Sequence, residues 1–169
     1  TTGGNNTAVG KDALNSNTSG ANNVATGSSA LLSNTTGSAN AATGVHALYA
    51  NTTASFNTAD GYYALQANTT GAYNTAAGNQ ALFSNTTGAR NSAVGYQALQ
   101  TNTTGNYNAA VGSNYCLGRN TTGSYNAALG DGALAYNTTA NFNVAVGQAA
   151  LHLNTTGANN SALGYLALR

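Results

Sequence analysis

A seventeen-residue unit repeats along the whole chain, and this period constrains the fold more than any other feature of the sequence. The stretch from Asn68 to Ser84 is one copy, and a shift of seventeen residues places the sequence on itself almost everywhere. A fixed period of this length is the signature of a solenoid, in which each unit forms one coil and contacts only the neighbouring coils. The fold therefore depends on what one such unit can form when ten copies are stacked.

We number the unit from its glycine as position 1, and four positions then hold the same residue in all ten units. These are Gly at position 1, Leu at position 5, Asn at position 14 and Ala at position 16. Position 8 is Asn in all nine complete units, and two hydroxyl residues follow it each time. The position-14 residues are Asn6, Asn23, Asn40, Asn57, Asn74, Asn91, Asn108, Asn126, Asn143 and Asn160.

The unit favours short strands and tight turns over helices. Helical repeats need about 33 residues or more, and Gly and Asn oppose helix formation. Side chains between Asn91 and Val94 alternate in character, which predicts a strand with one inward face. Gly at position 1 permits a sharp bend, a second short strand is expected at the Ala–Leu pair, and Asn-Thr-Thr-Gly is turn chemistry. The sequence thus predicts an all-β fold, a single parallel β-solenoid of about ten coils of 17 residues, roughly 48 Å long.

The predicted interior is thin, because each coil supplies one Leu and a few Ala. Burial of these side chains contributes about 3 kcal/mol per coil at most. The remaining stability is expected from main-chain ladders and from columns of identical side chains, as in the Asn ladders of cross-β assemblies. We therefore predict that the position-14 asparagines form an inward or corner ladder.

Composition argues against several functional classes. Charged residues make up 4% of the chain, compared with about 25% in an ordinary globular domain. The net charge of +1 and the lack of a basic run give no electrostatic footprint for nucleic acid. No apolar run approaches the roughly 20 residues of a membrane span, so membrane insertion is not expected. The one cysteine, Cys116, excludes a disulfide framework within the chain.

The repeat makes residues 1–169 one continuous domain, with a one-residue insertion in the coil at 113–119. The extra residue lies among Ser113, Asn114 and Tyr115 and is expected to form a bulge. Cys116 then takes the place of the usual Ala and is predicted to be buried. The sequence begins and stops inside a repeat, so we expect a segment of a longer array or a unit that stacks head to tail into a filament.

The Asn-Thr-Thr segments match the acceptor pattern for N-glycosylation, and so do Asn5 and Asn159. Glycans on these segments would form a column along one edge of the rod. The alternative is that Asn-Thr-Thr-Gly is simply the turn that each coil needs, because the middle residue is Thr nine times out of nine although a sequon accepts almost any residue there. The candidate sites are Asn17, Asn34, Asn51, Asn68, Asn85, Asn102, Asn120, Asn137 and Asn154.

Position 13 carries an aromatic stripe across the middle coils, interrupted by one arginine. Such a stripe can stiffen the rod through stacking, and it can also serve as a lateral interface or a carbohydrate-stacking strip. Ice binding is a weaker alternative, since ice-binding solenoids present Thr-x-Thr and the threonines here are adjacent. The stripe, which is the candidate interface, is formed by Phe56, Tyr73, Arg90, Tyr107, Tyr125 and Phe142.

The sequence predicts no enzyme activity, cofactor or metal site. Asp12, Asp60, Asp131, His46 and His152 mostly occupy different repeat positions on distant coils. Asp12 and His46 share position 3 but lie two coils apart, which is roughly 10 Å in a stacked solenoid. A metal site would need Asp-rich turns or clustered His and Cys, and the sequence has neither.

The unit Gly-x-x-Asn-x-Ala-x-Gly-x-x-Ala-Leu, as in Gly88 to Leu99, resembles the head repeat of YadA-type trimeric autotransporter adhesins. It is also similar to the Asn-Thr-Thr-Gly arrays of tail-fibre-like proteins of bacteria and viruses. The resemblance implies a left-handed parallel β-roll, often trimeric, on the outside of a cell or virion. We therefore predict a passive extracellular structural protein, a rod within a fibre or filament whose partners are copies of itself. An adhesin or tail-fibre head that binds a surface carbohydrate or receptor is the alternative.

Overall fold

In the computed structural model, which describes residues 2–169, ten three-residue strands form one parallel sheet in chain order. Each strand pairs in register with the next, so that Ala76 lies between Ala59 and Ala93. This confirms the predicted all-β solenoid with one coil per repeat. The strands are β1 (Thr7–Val9), β2 (Val24–Thr26), β3 (Ala41–Thr43), β4 (Thr58–Asp60), β5 (Thr75–Ala77), β6 (Ser92–Val94), β7 (Ala109–Val111), β8 (Ala127–Leu129), β9 (Val144–Val146) and β10 (Ser161–Leu163).

The middle residue of each strand from β2 to β10 points inward, and its two neighbours point outward. Ala76 has no exposed surface, whereas Thr75 is exposed and Ala77 is partly exposed. This alternation follows from the two-residue period of an extended chain. The inward alanines join Ala at position 4 and Leu at position 5 in one continuous apolar cluster along the rod. No helix in residues 2–169 is long and apolar enough to cross a membrane.

The Ala–Leu segment forms a turn, which corrects the expectation of a second strand. Leu82 has a φ of 52° and Gln80 a φ of 57°, both in the left-handed region. The same two conformations recur at positions 5 and 3 of every coil. A strand cannot contain them, because extended backbone has negative φ. The turn still leaves Ala81 and Leu82 without exposed surface, so their predicted place in the core is confirmed.

Glycine at position 1 is required by both conformation and space. Gly78 has a φ of 141°, and a Cβ added there would lie 2.4 Å from the carbonyl oxygen of Gly95 in the next coil. The φ of the ten position-1 glycines lies between 124° and 153°. The predicted bend is confirmed, and any side chain at this position would collide with the main chain of the following coil.

The extra residue of the seventh coil lies in a turn. Strands β7 and β8 on either side of it remain paired in register. Asn114 and Tyr115 both have positive φ, 48° and 64°. The regular pattern resumes at Cys116, whose carbonyl oxygen accepts the N–H of Leu99 at 3.1 Å and which has no exposed surface, as predicted. The insertion therefore lengthens a turn and is not a β-bulge, because residues 113–115 belong to no strand.

Candidate functional site

The position-14 asparagines form a buried amide ladder through all ten coils. The backbone N–H of Asn91 donates to Oδ1 of Asn74 at 3.0 Å. The equivalent bond joins every successive pair, at 2.8–3.0 Å. The eight members from Asn23 to Asn143 are at most 1% exposed. The predicted ladder is confirmed, although its constant link runs from backbone N–H to side-chain oxygen and not from amide to amide.

The position-8 asparagines form a second buried ladder, which the sequence did not predict. Asn85 Nδ2 donates to Oδ1 of Asn68 at 2.8 Å and to the carbonyl oxygen of Gly88 at 2.9 Å. Both hydrogens of the amide are therefore engaged. The link between neighbouring amides recurs at every step from Asn17 to Asn154, at 2.8–3.1 Å.

One main-chain carbonyl joins the two ladders in the inner coils. The oxygen of Gly88 accepts from Asn85 Nδ2 at 2.9 Å and from Asn74 Nδ2 at 2.8 Å. A carbonyl oxygen has two lone pairs, and this arrangement uses both. Asn143 is an exception, since its Nδ2 is buried without a partner in residues 2–169. The interior is otherwise a connected polar network, and connection is what allows buried amides to stabilise a fold.

This burial conflicts with the hypothesis that the position-8 asparagines carry N-glycans. A glycan is attached to Nδ2, and in the seven central coils that atom belongs to a residue with no exposed surface. Attachment there would break two hydrogen bonds and would force the corner open. For these residues the geometry favours the alternative, in which Asn-Thr-Thr-Gly is the turn that each coil needs, and glycosylation stays a prediction. These residues are Asn34, Asn51, Asn68, Asn85, Asn102, Asn120 and Asn137.

The other acceptor motifs have different surroundings. Asn17 is 9% exposed, and its Nδ2 donates to the carbonyl oxygen of Gly20. Asn154 is partly buried, and its Nδ2 makes both contacts of the central coils, to Asn137 Oδ1 and to the carbonyl oxygen of Gly157. Asn5 and Asn159 lie at position 13 and are exposed. Among the eleven motifs, the acceptor asparagine is thus exposed only at these two position-13 residues.

The two hydroxyl residues that follow Asn in each Asn-Thr-Thr-Gly turn, which we call the corner, differ in their contacts. Thr69 Oγ1 donates to the carbonyl oxygen of Thr86 in the next coil at 3.0 Å. This bond is made at all eight steps of the column, at 2.9–3.2 Å. Thr70, the following residue, is exposed. The corner therefore presents one rank of hydroxyl groups to solvent, in contrast to the two ranks of a Thr-x-Thr face.

The aromatic stripe is exposed and continuously stacked. The ring centroids of Tyr107 and Tyr125 lie 4.9 Å apart with an angle of 6° between the planes, and those of Tyr125 and Phe142 lie 5.1 Å apart at 12°. Arg90 bridges the gap to the lower rings, with its guanidinium carbon 5.5 Å from the centroid of Tyr73 and 5.3 Å from that of Tyr107. Arg90 also donates a hydrogen bond to the Tyr107 hydroxyl.

Stacking of the rings limits which ligands the aromatic stripe can bind. Parallel rings at this separation cover one another's faces, and Phe56 stacks on Tyr73 in the same way, 4.9 Å apart at 9°. The inner rings therefore present their edges and hydroxyl groups to solvent. A sugar that binds by stacking needs an open ring face, so the geometry favours stiffening or a flat lateral contact over a carbohydrate-stacking strip.

The titratable side chains do not converge on a reactive site. Residues 2–169 hold no group of three or more His, Cys, Asp or Glu placed to bind a metal ion. Asp131 lies 3.2 Å from Asn114 Nδ2, and His152 Nδ1 lies 2.9 Å from the carbonyl oxygen of Gly132. Burial raises the pKa of the Cys116 thiol to about 12, so this thiol stays protonated at neutral pH and is a weak nucleophile.

A second aromatic cluster was not predicted from the sequence. His46 stacks on Tyr49 with ring centroids 4.9 Å apart and lies 5.1 Å from Tyr63. Tyr63 in turn meets Tyr62 and Phe83 edge to face, at 4.0 and 6.1 Å. These residues come from three repeat positions that vary from coil to coil, so no column in the sequence signals them.

A scan against protein-family models, a search of curated proteins and a search of solved structures found no match to this chain. The resemblance to YadA-type head repeats remains a prediction from the sequence.

Proposed function

We propose that this chain is a passive structural element, a β-solenoid rod that forms part of a fibre or filament outside a cell or virion. The observation that carries the proposal is the contrast between a constant interior and a variable surface. Positions 5, 14 and 16 are buried in the middle coils and hold one residue type throughout, whereas the exposed positions 2, 13 and 17 vary. Such a pattern suits a rod that maintains its own continuity better than it suits a site for one small ligand. The extracellular location is inferred from the family resemblance.

The ladders also give each coil two complementary sides. Every position-14 Asn directs its backbone N–H towards the preceding coil and its Oδ1 towards the following one. A coil that lacks a neighbour on one of these sides leaves that row of groups unpaired. An open strand edge of this kind is a template for further pairing. We therefore infer that coils of separate copies can add to one another head to tail, as successive coils of one chain do.

Electron microscopy of the purified chain tests the head-to-tail arrangement. We expect rods much longer than the roughly 43 Å spanned by nine steps between ten strands. Ala162→Lys places a charge on the inward side of β10, where Ala162 is 6% exposed, and inward charges are a natural block to edge pairing. This variant is expected to give short rods only. Ser161→Lys, on the outward side of the same strand, is the matched control and should still give long rods.

Short rods from the unmodified chain at every concentration would contradict head-to-tail stacking. Long rods that persist in the Ala162→Lys variant would show that growth does not use this edge. Circular dichroism of each variant checks that the remaining coils are folded, so that a loss of growth is not mistaken for a loss of structure.

The exposed aromatic stripe favours one alternative, an adhesin or tail-fibre head that binds a surface carbohydrate or receptor. Its ring edges, phenol hydroxyls and single guanidinium are available groups for recognition. A glycan array with saturable binding that disappears in Tyr107→Ala would support this alternative. Retained binding in that variant would assign the activity elsewhere.

A further inference from the structure

We propose that strands β6–β10 carry a lateral pairing face, whose partner is the same face of a second copy of this chain in antiparallel orientation. The inference goes beyond the proposed rod function, because a rod can extend along its axis without pairing sideways.

The face is built from the outward strand residues at positions 15 and 17 and from the exposed residues at position 13, which lie at the bend just before each strand. In three consecutive coils all nine of these residues are aliphatic or aromatic, and exposed fractions range up to 55% at Phe142. Val94 and Leu163 extend the aliphatic column by one coil in each direction. The nine residues are Tyr107, Ala109, Val111, Tyr125, Ala127, Leu129, Phe142, Val144 and Val146.

The fold itself does not require this apolar character. In β1–β5 the same outward positions hold Thr7, Thr26, Thr43, Thr58 and Thr75, and the strands pair in the same way. Hydroxyl residues are therefore compatible with the sheet, and Val111 and Leu129 keep 42% and 50% of their surface exposed in the isolated rod. Contiguous exposed apolar surface on a soluble rod marks a contact with something else.

The shape and charge of the face fit a second copy of itself. Parallel strands in register present ridges about 4.8 Å apart, and two such faces pack about 10 Å from each other. Stacking in the column of Tyr107, Tyr125 and Phe142 turns the edges of the inner rings outward, which keeps the face even and covers the faces of those inner rings. No charged residue lies among the nine. Arg90, at position 13 beside β6, lies at the rim of the five-strand face, and in the antiparallel arrangement it would lie opposite Asn159 of the second copy.

Two residues of the β4 coil, two coils before β6, favour the antiparallel orientation over a parallel pair in register. Rods paired side by side in the same direction would bring Asp60 of β4 against Phe56 of the other copy, since positions 17 and 13 of one coil then face each other. Burial of an unpaired carboxylate against a ring is costly. In the antiparallel arrangement centred on β8, Tyr125 faces Tyr125, Tyr107 faces Phe142, and β6 lies opposite β10, so Asp60 stays outside the contact.

The area of the face sets the expected affinity of the lateral pair. Five strands and three columns cover an area of about 24 Å by 18 Å, or roughly 400 Å² on each copy. The total of about 800 Å² is below that of stable specific complexes and within the range of transient ones. We therefore expect a weak, concentration-dependent pair, which becomes stronger when several copies are joined along one axis.

Sedimentation velocity is the first test, performed with the Ala162→Lys variant so that head-to-tail growth does not contribute. We expect the sedimentation coefficient to rise towards that of a dimer as the chain concentration approaches about 1 mM. Adding Leu129→Asp should abolish this rise. Thr43→Asp, which places the same charge in the same column on β3, is the matched control and should leave the rise unchanged.

Thiol cross-linking tests the orientation. Facing sheets about 10 Å apart are too distant for a direct disulfide, so a short bis-maleimide is used, and buried Cys116 is too unreactive to interfere. Copies with Ser92→Cys are expected to cross-link to copies with Ser161→Cys, and Ala127→Cys to itself. Thr58→Cys, at the same repeat position on β4, should cross-link at least ten times more slowly than Ala127→Cys.

Each outcome bears on the pairing face separately from the rod function. A chain that sediments as a monomer at about 1 mM overturns the lateral pair and leaves the fibre proposal standing. Dimerisation that survives Leu129→Asp overturns the assignment of the face. Cross-linking of Ser92→Cys copies to one another in place of Ser161→Cys copies overturns the antiparallel orientation.

Discussion

Asn74 accepts the backbone N–H of Asn91 on its Oδ1, 3.0 Å away in the next coil, while its own Nδ2 donates to the carbonyl oxygen of Gly88 at 2.8 Å. One side chain therefore saturates main-chain groups at two places of the following coil. This relationship explains why position 14 is Asn in every unit. Aspartate lacks the donor, and an aliphatic side chain lacks both groups.

Replacement of this amide should be among the most damaging changes in the chain. Asn74→Ala leaves the N–H of Asn91 buried without an acceptor and removes one donor from Gly88, and each lost buried partner costs about 1–3 kcal/mol. We expect urea unfolding to show a loss of roughly 2–4 kcal/mol. Thr75→Ala, an exposed neighbour, should change the stability by no more than about 0.5 kcal/mol. Similar losses for the two variants would contradict the ladder's role.

The two threonines of one corner should respond differently to the same substitution. Thr69→Val removes the hydrogen bond from Oγ1 to Thr86 and should cost about 1 kcal/mol. Thr70→Val changes an exposed side chain and should lie within about 0.5 kcal/mol of the parent. Thermal denaturation of the pair measures the difference, and equal melting temperatures would argue against a hydroxyl ladder.

A glycine at position 3 should relieve left-handed backbone strain and so stabilise the rod. Ala149 has a φ of 54°, and the equivalent residue one coil earlier is Gly132 with a φ of 63°. The left-handed region costs a residue with a Cβ roughly 1–2 kcal/mol, part of which Gly loses again through entropy. We expect Ala149→Gly to raise the free energy of unfolding by about 0.5–1 kcal/mol. The adjacent Ala150 is buried and does not have a positive φ. Ala150→Gly should therefore lower the free energy of unfolding.

The buried thiol should make stability sensitive to alkaline pH. Folding raises the pKa of Cys116 from 9.0 to about 12, chiefly through desolvation. The neutral thiol is therefore favoured in the folded state, and its contribution is complete below pH 9. As pH rises from about 9 towards about 12, the unfolded chain ionises first and stability falls. Cys116→Ala, which restores the usual residue of position 4, should lose this part of the pH dependence. Urea unfolding at about pH 8 and about pH 10.5 compares the two chains.

Any N-linked glycan should be confined to position 13. Asn5 and Asn159 are the exposed acceptor residues, whereas the central position-8 asparagines have no exposed surface. Mass spectrometry of the chain from a glycosylating source, before and after enzymatic deglycosylation, locates the sites. Glycans at Asn68 or Asn85 would contradict the buried ladder.

The sequence predicts several buried positions of each coil but does not predict the conformation of its turns. Leu82, Ala76 and Asn74 recur at a fixed spacing, and a recurring residue in a stacked repeat must meet its own copies. The position-8 ladder was missed although Asn85 recurs just as strictly, because its Asn-Thr-Thr context also matches a sequon and a turn. The sequence predicts a strand at Ala81 and Leu82, where the structure has a turn, because Leu carries no signal for a left-handed conformation.

For the aromatic stripe, the sequence likewise predicts which residues belong to it but not how they are arranged. Its membership could be predicted from the spacing of Tyr107, Tyr125 and Phe142, but the coverage of each ring by the next could not. That coverage follows from a positive φ at position 13, 57° to 60° in these three residues, which fixes the direction of the side chain. The apolar face beside it could be recognised only after the outward side of each strand was known.

The sequence by itself determined the period, the parallel register and the buried columns at positions 4, 5, 14 and 16, because a translation of one coil brings like residues together whatever the path between them. The tertiary structure decided the path. A seventeen-residue coil must close on itself within one step of the ladder, and it does so through left-handed residues at positions 3, 5 and 13 and an extended glycine-only bend at position 1. Those local conformations are imposed by closure and are not preferred by Leu, Tyr or Gln, so only the folded rod reveals which amides are buried and which hydroxyls and rings face outward.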